Sequence, residues 1–482
     1  MKFKNIKPIF ALLTSIFLSN IFAQNFNDAY RLGEQNYDFD AKTIAMGNST
    51  MALGGGFASG ILNPAGLAIV KQNVTTLSFN SNKLKNRTTF FNNAITSGKN
   101  NNNFNQFSLV MPLPTKRGSA VLGFGYNQLK DFNAKLEFDG YNPGNTSMIQ
   151  TLNGEDIIFK LGLSYPVFDN DSNYIGDETL INGKLHQSGT IEEEGNLDTW
   201  VMSGAFEAAK NVFIGATLNL FSGSYKNNRV YIEDDKDFNT YSGMLDPADS
   251  NTLDFESFYL NDKIEQNISG WDLRLGILYK MNDILDFGLS IKLPTFYQIE
   301  EYYSISGEST FKYTGYTFEL PEDKNVYDIK IPMQISAGIS AKFSIVNVSG
   351  SVNFMDYSQM KFTNGFTVEQ LNAKNNEIAD IFNSAVNYHL GSQLQFPFLK
   401  GFKVRGGFMY HQSPYKGDTA EFDKKYITAG LGIPLADTFD LNLTYVHGWW
   451  KTFGDNYGVN VSRTLQDISL DKMMLSLSLK FM

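Results

Sequence analysis

The sequence has no cysteine, little proline and a low share of charged residues. Among 482 residues there are 13 prolines and 19% charged side chains, against roughly 25% in ordinary soluble domains. The absence of cysteine excludes a disulfide scaffold, a thiolate zinc site and a cysteine nucleophile. Acids outnumber bases 50 to 40. Because phosphate backbones repel such a surface, we expect no nucleic-acid partner.

Long hydrophobic runs are also missing. No stretch after residue 23 approaches the about 18 apolar residues that indicate a membrane-spanning helix, so we expect no helical span. Aromatic residues and glycine are abundant instead, with 40 Phe, 24 Tyr and 41 Gly. The mean hydropathy is −0.24. Low charge, many aromatics and moderate hydropathy together are typical of a transmembrane β-barrel.

The first 23 residues have the pattern of a secretory signal peptide. Three lysines among the first seven residues precede an apolar run over 9–18, and Ala23 is a plausible cleavage residue. We therefore expect residues 1–23 to be removed on export.

From about residue 73 onward, apolar and polar residues alternate with a period of two, as in strands with two different faces. In the segment 402–410, Val404 and Phe408 alternate with Lys403 and Arg405. The chain ends on such a strand, with a leucine or phenylalanine at every second position from 475 to 481. We predict an all-β fold, a transmembrane antiparallel barrel of about fourteen strands. The predicted strands lie near 73–80, 104–111, 119–130, 197–208, 212–225, 268–279, 285–297, 329–343, 345–356, 385–396, 402–411, 425–433, 438–448 and 472–482.

The connections between these strands alternate between short and long. Bacterial barrels have short periplasmic turns and long external loops, so this alternation predicts the orientation and places both ends of the sheet on the periplasmic side. We predict long loops at 81–103, 131–196, 226–267, 298–328, 357–384, 412–424 and 449–471. Two stretches, 155–165 and 180–192, also look strand-like, and as a hairpin they would raise the count to sixteen.

Residues 24–72 do not follow the strand pattern and carry a specific motif. The sequence DAKTIAMG at 40–47 is followed by a glycine-rich turn from Gly54 and by NPAGL at 63–67. This order resembles the N-terminal hatch of the FadL family of outer-membrane transporters for hydrophobic compounds. The resemblance implies a barrel over 73–482 plugged by a hatch over 24–72 that moves to open the periplasmic exit. It assigns the hatch or gating residues to Gly47, Asn63, Pro64, Ala65 and Gly66.

Two predicted external loops carry apolar residues that could form a groove for substrate uptake. Residues 366–386 have helical spacing, and 241–260 is rich in leucine and phenylalanine. Such residues could also simply pack on the barrel rim. The candidate groove residues are Leu245, Leu253, Phe255, Phe258, Leu371, Ile381 and Phe382.

Other chemical sites have weak signals. Asp169, Asp171 and Asn173 match the opening of a calcium-binding loop, but Tyr174 and Leu180 stand where glycine and glutamate are needed. A solvated turn is the simpler interpretation. Four histidines lack metal-binding spacing, and no nucleophile–base pair is recognisable, so we expect no cofactor and no enzymatic activity.

Two functions remain open. The first is passive transport of apolar small molecules, such as long-chain fatty acids or aromatic hydrocarbons, through the outer membrane of a Gram-negative bacterium. The second is a structural barrel in an export or assembly complex, the role of some FadL-like barrels of the Bacteroidetes type. The expected partners are outer-membrane lipid and lipopolysaccharide, an apolar ligand and, in the second case, other outer-membrane proteins.

Overall fold

A computed structural model describes residues 26–35, 38–235, 239–399, 401–458 and 460–481. The predicted signal peptide at 1–23 lies outside the described residues.

The described strands form a closed antiparallel barrel in which β1 pairs with both β2 and the final strand β20. Of the twenty described strands, fourteen form the barrel wall. Four others, β4, β11, β12 and β15, continue or flank strands of the wall, and β5 and β6 form a separate hairpin. The strands are β1 (Asn73–Phe90), β2 (Asn93–Leu113), β3 (Ala120–Asp131), β4 (Ala134–Asn142), β5 (Tyr165–Phe168), β6 (Tyr174–Glu178), β7 (Leu185–Ala209), β8 (Val212–Asp234), β9 (Phe255–Lys280), β10 (Leu285–Lys292), β11 (Thr295–Phe311), β12 (Gly315–Ile331), β13 (Gln334–Phe343), β14 (Val346–Asp356), β15 (Lys361–Asn364), β16 (Ser384–Phe396), β17 (Phe402–His411), β18 (Lys424–Ala436), β19 (Phe439–Asp455) and β20 (Arg463–Phe481).

The predicted count of fourteen is confirmed, and the alternative of sixteen is wrong. Residues 156–160 form a short helix, and 185–192 belong to the long strand β7. Two interruptions of the wall coincide with proline. Pro294 separates β10 from β11 and Pro332 separates β12 from β13, since proline has no N–H to donate to a strand ladder.

An apolar belt surrounds the outer face of the barrel. On β9 the outward side chains from Trp271 to Tyr279 are all apolar, and each is more than a third exposed. These nine residues extend about 27 Å along the strand, and a strand tilt of roughly 40° reduces this to about 20–25 Å along the barrel axis. Beyond the belt, at the long-loop end, outward residues become polar, as Lys83, Lys85 and Arg87 show on β1. The belt has the height that bilayer hydrocarbon requires.

Several predicted external loops are wrong, because strands continue beyond the belt. The predicted loop 81–103 is a hairpin whose strands run to Phe90 and from Asn93. Phe91 and Asn92 both have positive φ, 41° and 67°, which is the geometry of a tight two-residue turn. Strands also extend into 226–267, 298–328 and 449–471. The apolar alternation stops at the lipid boundary, so it could not reveal strands that have water outside and polar neighbours inside.

The α-helices are short except for one. They are α1 (Phe26–Gly33), α2 (Ala41–Ala45), α3 (Ala58–Leu62), α4 (Met148–Thr151), α5 (Asp156–Lys160) and α6 (Val368–Ile381). Short 3₁₀ helices lie at Pro64–Ile69, Ser250–Thr252, Tyr357–Gln359 and Pro397–Leu399. The helix α6 was predicted within 366–386, and that prediction is confirmed. Across the described residues, no helix combines the length and apolar character needed to cross a membrane.

The barrel interior is filled in three layers, which β8 contacts in turn. Phe213, near the short-turn end, belongs to the lower layer, in which residues 38–70 pack against the wall. Phe221 belongs to the middle layer, around α1 and α6. Tyr231 belongs to the upper layer, formed by strand ends and the loop with α4 and α5.

Candidate functional site

The lower layer is held by hydrogen bonds from barrel side chains to the backbone of residues 38–70. Eight backbone carbonyls of this segment, or of its ends, accept a hydrogen bond from a wall residue at 2.5 to 3.1 Å. The donor and acceptor pairs are Asn127 to Asp38, Asn105 to Phe39, Thr444 to Ala41, Thr428 to Ala45, His389 to Gly47, Thr217 to Gly60, Arg274 to Leu62 and Ser119 to Ala68. The donors come from seven strands and one short turn. The segment is therefore fixed around most of the barrel circumference.

Asn63 is the most heavily engaged side chain of this segment. It is fully buried. Its Nδ2 donates to the carbonyls of Met51, at 3.2 Å, and Ile277, at 3.0 Å, while its Oδ1 accepts from the amide of Ala65. A Cβ at Gly276 would overlap the Asn63 amide, so this strand position is glycine where Asn63 approaches it. Asn63 thus ties one part of the segment to another and to β9.

Glycine on both surfaces brings the segment against the wall. Gly47 has φ +59°, and its neighbours Gly391 and Gly407 lie on β16 and β17. A Cβ at Gly391 would overlap the carbonyl of Met46, and one at Gly407 would overlap the amide of Gly47. At these two positions the backbone of the segment lies too close to the wall for a Cβ on the strand.

The five residues assigned by the family resemblance all lie in the lower layer. Pro64 and Ala65 pack on Gly215 of β8, and Gly66 packs on Gly54 within the segment. All five residues therefore lie along one segment inside the barrel. Their gating role stays a prediction.

The middle layer is held mainly by aromatic contacts, beside two hydrogen bonds from the wall residue Lys130 to the carbonyls of Arg31, at 2.6 Å, and Leu32, at 3.0 Å. Phe382, at the end of α6, lies 5.6 Å from the ring of Tyr30 and 4.7 Å from that of Tyr415. On the other side of α1, the Arg31 guanidinium lies 3.5 Å above the ring of Tyr225 and pairs with Asp28 at 2.9 Å. Aromatic pairs and cation–π contacts therefore fix α1 inside the barrel.

A chamber of about 600 Å³ lies beside α1. Its lining mixes aromatic rings with charged side chains. The aromatic members are Phe26, Tyr30, Phe132, Tyr225, Tyr415, Phe422, Trp450 and Phe453. Burial opposes ionisation of Glu34, but the neighbouring Lys424 and Lys130 ammonium groups hold the pKa of its carboxyl below the ordinary value. Twelve charged side chains share the lining with these eight rings, so the chamber offers contacts to both an apolar and a charged part of a ligand.

The upper layer closes the barrel beyond the belt around one buried carboxylate. Glu233 is fully buried and accepts hydrogen bonds from Ser147, Gln187 and Tyr231, and from the amide of Met148 at the start of α4. Burial raises the pKa of this carboxyl. These bonds attach the loop that contains α4 to the strand ends.

The residues predicted to form one uptake groove lie in two separate layers. Leu245, Phe255 and Phe258 are buried in the upper layer, and Leu253 is partly buried beside Met244. Phe382 is buried in the middle layer, and Leu371 and Ile381 pack against that layer. The structure does not bring these seven residues together, so the predicted common groove is not present. The prediction used helical spacing and local composition, neither of which specifies which loops meet.

The candidate calcium residues form an ordinary turn. The Asp169 carboxylate accepts from the amides of Asp171 and Asn173 and from the Asn173 side chain. The Asn173 side chain and these amides hold the pKa of the Asp169 carboxyl below its usual range. The described residues include no group of three or more His, Asp or Glu side chains that could hold a metal ion.

The sequence alone does not reveal the wall residues that hold the segment. Thr217, Arg274, His389, Thr428 and Thr444 all occupy inward positions of predicted strands. Their inward facing could be inferred from the alternation, but their partners depend on pairing across more than 150 residues of sequence.

Solved structures of the same fold cover almost the whole chain. A Pseudomonas aeruginosa FadL homologue matches 93% of this chain and 99% of its own at 12% identity, with a TM-score of 0.55. The P. putida toluene transporter TodX matches the same shares at 13% identity and a TM-score of 0.52. The CymD monoaromatic hydrocarbon channel matches 92% of this chain and 97% of its own at 14% identity, with a TM-score of 0.50. The chain therefore shares the fold of these proteins.

No protein-family model and no curated protein matches the sequence.

Proposed function

We propose that the protein is a passive outer-membrane channel for hydrophobic small molecules, in which residues 24–72 act as a movable hatch. The observation that carries this proposal is the position of the chamber of about 600 Å³. It lies directly beside α1, which belongs to the segment that fills the barrel. An apolar solute gains about 25 cal/mol per Å² of surface removed from water. Capture in the chamber therefore needs no nucleotide or redox cofactor, and no enzymatic step is part of this proposal.

The contacts of the lower layer are compatible with a hatch. The hydrogen bonds from Thr217, Thr428 and Thr444 join side-chain hydroxyls to backbone carbonyls. Water can replace each of these bonds at a modest net cost of about 1 kcal/mol. The seal is thus tight while closed, and it can open step by step as water enters.

The outer surface supports an outer-membrane location. The apolar belt fits bilayer hydrocarbon, so lipid chains are its natural neighbours. Above it, Lys83, Lys85 and Arg87 project outward on β1, where lipopolysaccharide phosphates would attract them. We infer that the short turns, and both ends of the sheet, face the periplasm, because bacterial barrels have short periplasmic turns and long external loops. Removal of residues 1–23 on export remains part of this proposal.

Uptake by cells tests the proposed transport. The full chain is expressed in the outer membrane of a bacterium without its own hydrocarbon channel, and uptake of labelled dodecanoate and toluene is measured. The variant Ala134→Trp places an indole on the chamber lining, and we expect uptake to fall at least fivefold. The control Ala94→Trp adds the same group to an exposed site on β2. Equal uptake by the two variants and the unmodified protein would contradict the proposal.

One observation favours a second function, that of a partner barrel in a larger complex. The loop that closes the barrel leaves large apolar side chains exposed at its outer end. These are Phe159, Phe168, Tyr174, Ile175 and Leu180, each about half exposed. Native mass spectrometry of protein from its own outer membrane separates the two functions. A stoichiometric protein partner without an apolar small molecule would favour the second, and a bound apolar molecule would favour transport.

A further inference from the structure

The chamber beside α1 is surrounded by more carboxylates than cations. Six cationic and six carboxylate side chains line it, but several cations pair with carboxylates that lie outside the lining. Lys130 is the exception, because its ammonium donates to carbonyls of α1. The other five cations form the ion pairs Arg31–Asp28, Lys99–Glu192, Lys424–Glu34, Lys451–Glu421 and Lys472–Asp38.

Three carboxylates of the lining form no ion pair within the described part of the chain. Arg31 attracts one of them, Glu193, but pairs with Asp28. Neutral groups donate hydrogen bonds to all three. Neutral donors orient a carboxylate but leave its charge uncompensated, which is costly where water is scarce. These carboxylates are Asp131, Glu193 and Asp418.

Asp418 lies on the loop between β17 and β18, next to a second carboxylate. The Ser413 hydroxyl donates to it at 2.5 Å. Burial raises the pKa of the Asp418 carboxyl, and repulsion by the neighbouring Asp423 adds to this rise. Tyr415 and Phe422 of the same loop line the chamber with it. A cation in this part of the chamber would offset the repulsion between the two carboxylates.

Asp131, at the end of β3, lies beside a buried acceptor that lacks a donor. Its carboxylate accepts from Nδ2 of Asn82 at 2.5 Å, of Asn101 at 2.7 Å and of Asn133 at 2.7 Å. Asn82 is only 6% exposed, and its Oδ1 accepts no hydrogen bond from the described residues. A buried acceptor without a donor is unfavourable. Asn82 and Asp131 both line the chamber, so a ligand N–H group there would meet two acceptors.

Aromatic rings of the chamber already contact cations of the protein itself. Besides Arg31 over Tyr225, the Lys424 Nζ lies 4.8 Å from the centre of the Trp450 ring. Ring faces attract a cation through their quadrupole, and they remove apolar surface from water at the same time. The rings therefore suit a ligand in which a positive charge is attached to an apolar body.

We propose that the chamber binds an organic cation, a protonated amine carried on an apolar or aromatic body. The ammonium group lies beside Asp131 and Asn82, the body lies against the rings, and Asp418 adds negative charge from the β17–β18 loop. The inference rests on the proposed channel function and adds a ligand class to the neutral and acidic molecules named there. The net charge of the chain, −10, favours the approach of such a cation.

A binding experiment compares three ligands of similar size that differ in charge. The cation 2-phenylethylammonium, the neutral 2-phenylethanol and the anion phenylacetate are titrated calorimetrically into the full chain in a nonionic detergent at pH 7. The test variant is Asp131→Asn with Asp418→Asn. The matched control is Asp323→Asn with Asp467→Asn, which removes the same charge from exposed positions. We expect the unmodified protein and the control to bind the cation about tenfold more tightly than the alcohol, and the test variant to lose this preference.

The outcomes separate this inference from the transport proposal. Equal affinity of the unmodified protein for the cation and the alcohol, or tighter binding of phenylacetate, would overturn the inference and leave transport standing. Calcium chloride that displaces the cation at equal concentration would show that carboxylates alone suffice, and would overturn the assignment to an organic cation. Binding of none of the three would also overturn the inference, whereas toluene uptake still decides the transport proposal.

Two further measurements keep the test variant interpretable. Heat-modifiable migration on gels establishes that each variant is folded. The variant Asp131→Glu with Asp418→Glu keeps both negative charges, and it should keep the preference for the cation. Loss of the preference in this variant as well would show that the two charges are not what binds the cation, and would overturn the inference.

Discussion

The lower and middle layers occupy neighbouring parts of the same barrel, but different kinds of contact predominate in each. In the lower layer, small residues touch a wall of glycine, serine and threonine, and wall side chains bond to backbone carbonyls. In the middle layer, rings from α1, α6 and the 412–423 loop pack on one another beside a chamber of about 600 Å³. Backbone hydrogen bonds are directional and fix one arrangement. Aromatic surfaces accept several arrangements at similar cost. These contacts suit the lower layer to closing the barrel and the middle layer to accommodating a ligand.

The largest expected effect follows from breaking the seal of the lower layer. Gly391→Val places a side chain where Met46 lies, so we expect the segment to leave its position and ion conductance in planar bilayers to rise at least tenfold. Gly406→Val is the control, because an added Cβ there meets only the Thr428 carbonyl oxygen, at 3.8 Å. Unchanged conductance of Gly391→Val would show that the seal does not depend on this contact.

A smaller effect is expected in the middle layer. Phe382→Ala removes a fully buried ring that contacts Tyr30 and Tyr415, and a change of this kind costs about 3–5 kcal/mol. Denaturant unfolding in micelles measures the loss. Phe398→Ala is the control, since Phe398 is 78% exposed. Conductance of Phe382→Ala should stay at the unmodified level, because the lower layer is unaffected. A leak in this variant would mean that the two layers are not independent.

Asn63→Ala tests the hydrogen bonds of the lower layer at a single side chain. The change leaves the carbonyls of Met51 and Ile277 without this donor in a buried site, which costs about 1–3 kcal/mol. The same unfolding experiment measures it. Asn228→Ala, on an exposed outward position of β8, should change the free energy of unfolding by less than about 0.5 kcal/mol. Equal effects of the two substitutions on the free energy of unfolding would show that the hydrogen bonds of Asn63 do not stabilise the lower layer.

The smallest expected effect is a pH dependence of the stability that Lys42 contributes to the folded chain. The pKa of Lys42 in the folded chain, about 8, is below its ordinary value of 10.5. The unfolded chain therefore binds more protons between these values, and the contribution of Lys42 to stability rises as pH increases from about 8 towards 10.5. Arg405, Lys403, Asp40 and Asp440 are the charged groups that act on it. Thermal unfolding of the unmodified protein and Lys42→Gln at pH 7.5 and 10 should show a relative gain for the unmodified protein. A gain of the same size in both would contradict this.

The wall of the barrel could be predicted from the sequence, but the contents of its interior could be predicted only in outline. The period of two fixes strand positions inside the lipid belt because two different solvents face the two sides of each strand. This alternation does not extend to Lys83 or Asn100, where water lies outside. The predicted strands 73–80 and 104–111 are therefore shorter than β1 and β2. The motif at 40–67 indicated where the segment lies. The bonds from His389 or Arg274 to that segment depend on the register of distant strands, and a shift of one residue reverses the face.

The uptake groove shows a different kind of failure. Phe258 and Phe382 belong to segments whose apolar character the sequence shows, but Phe258 lies in the strand β9 and not in a loop. Phe258 lies in the upper layer and Phe382 in the middle layer. Local composition shows that a segment is buried, but only the fold shows what covers it.

A disulfide between the segment and the wall tests the movement of the hatch most directly. The Oγ atoms of Ser49 and Ser349 lie 2.6 Å apart, and the chain has no native cysteine. Ser49→Cys with Ser349→Cys therefore allows one defined cross-link. Ser257→Cys with Thr310→Cys links two neighbouring wall strands as the control, since these hydroxyl oxygens also lie 2.6 Å apart. We predict that the oxidised Ser49/Ser349 variant loses dodecanoate uptake and regains it on reduction, while the control transports in both states. Full uptake by the cross-linked Ser49/Ser349 variant would contradict a moving hatch.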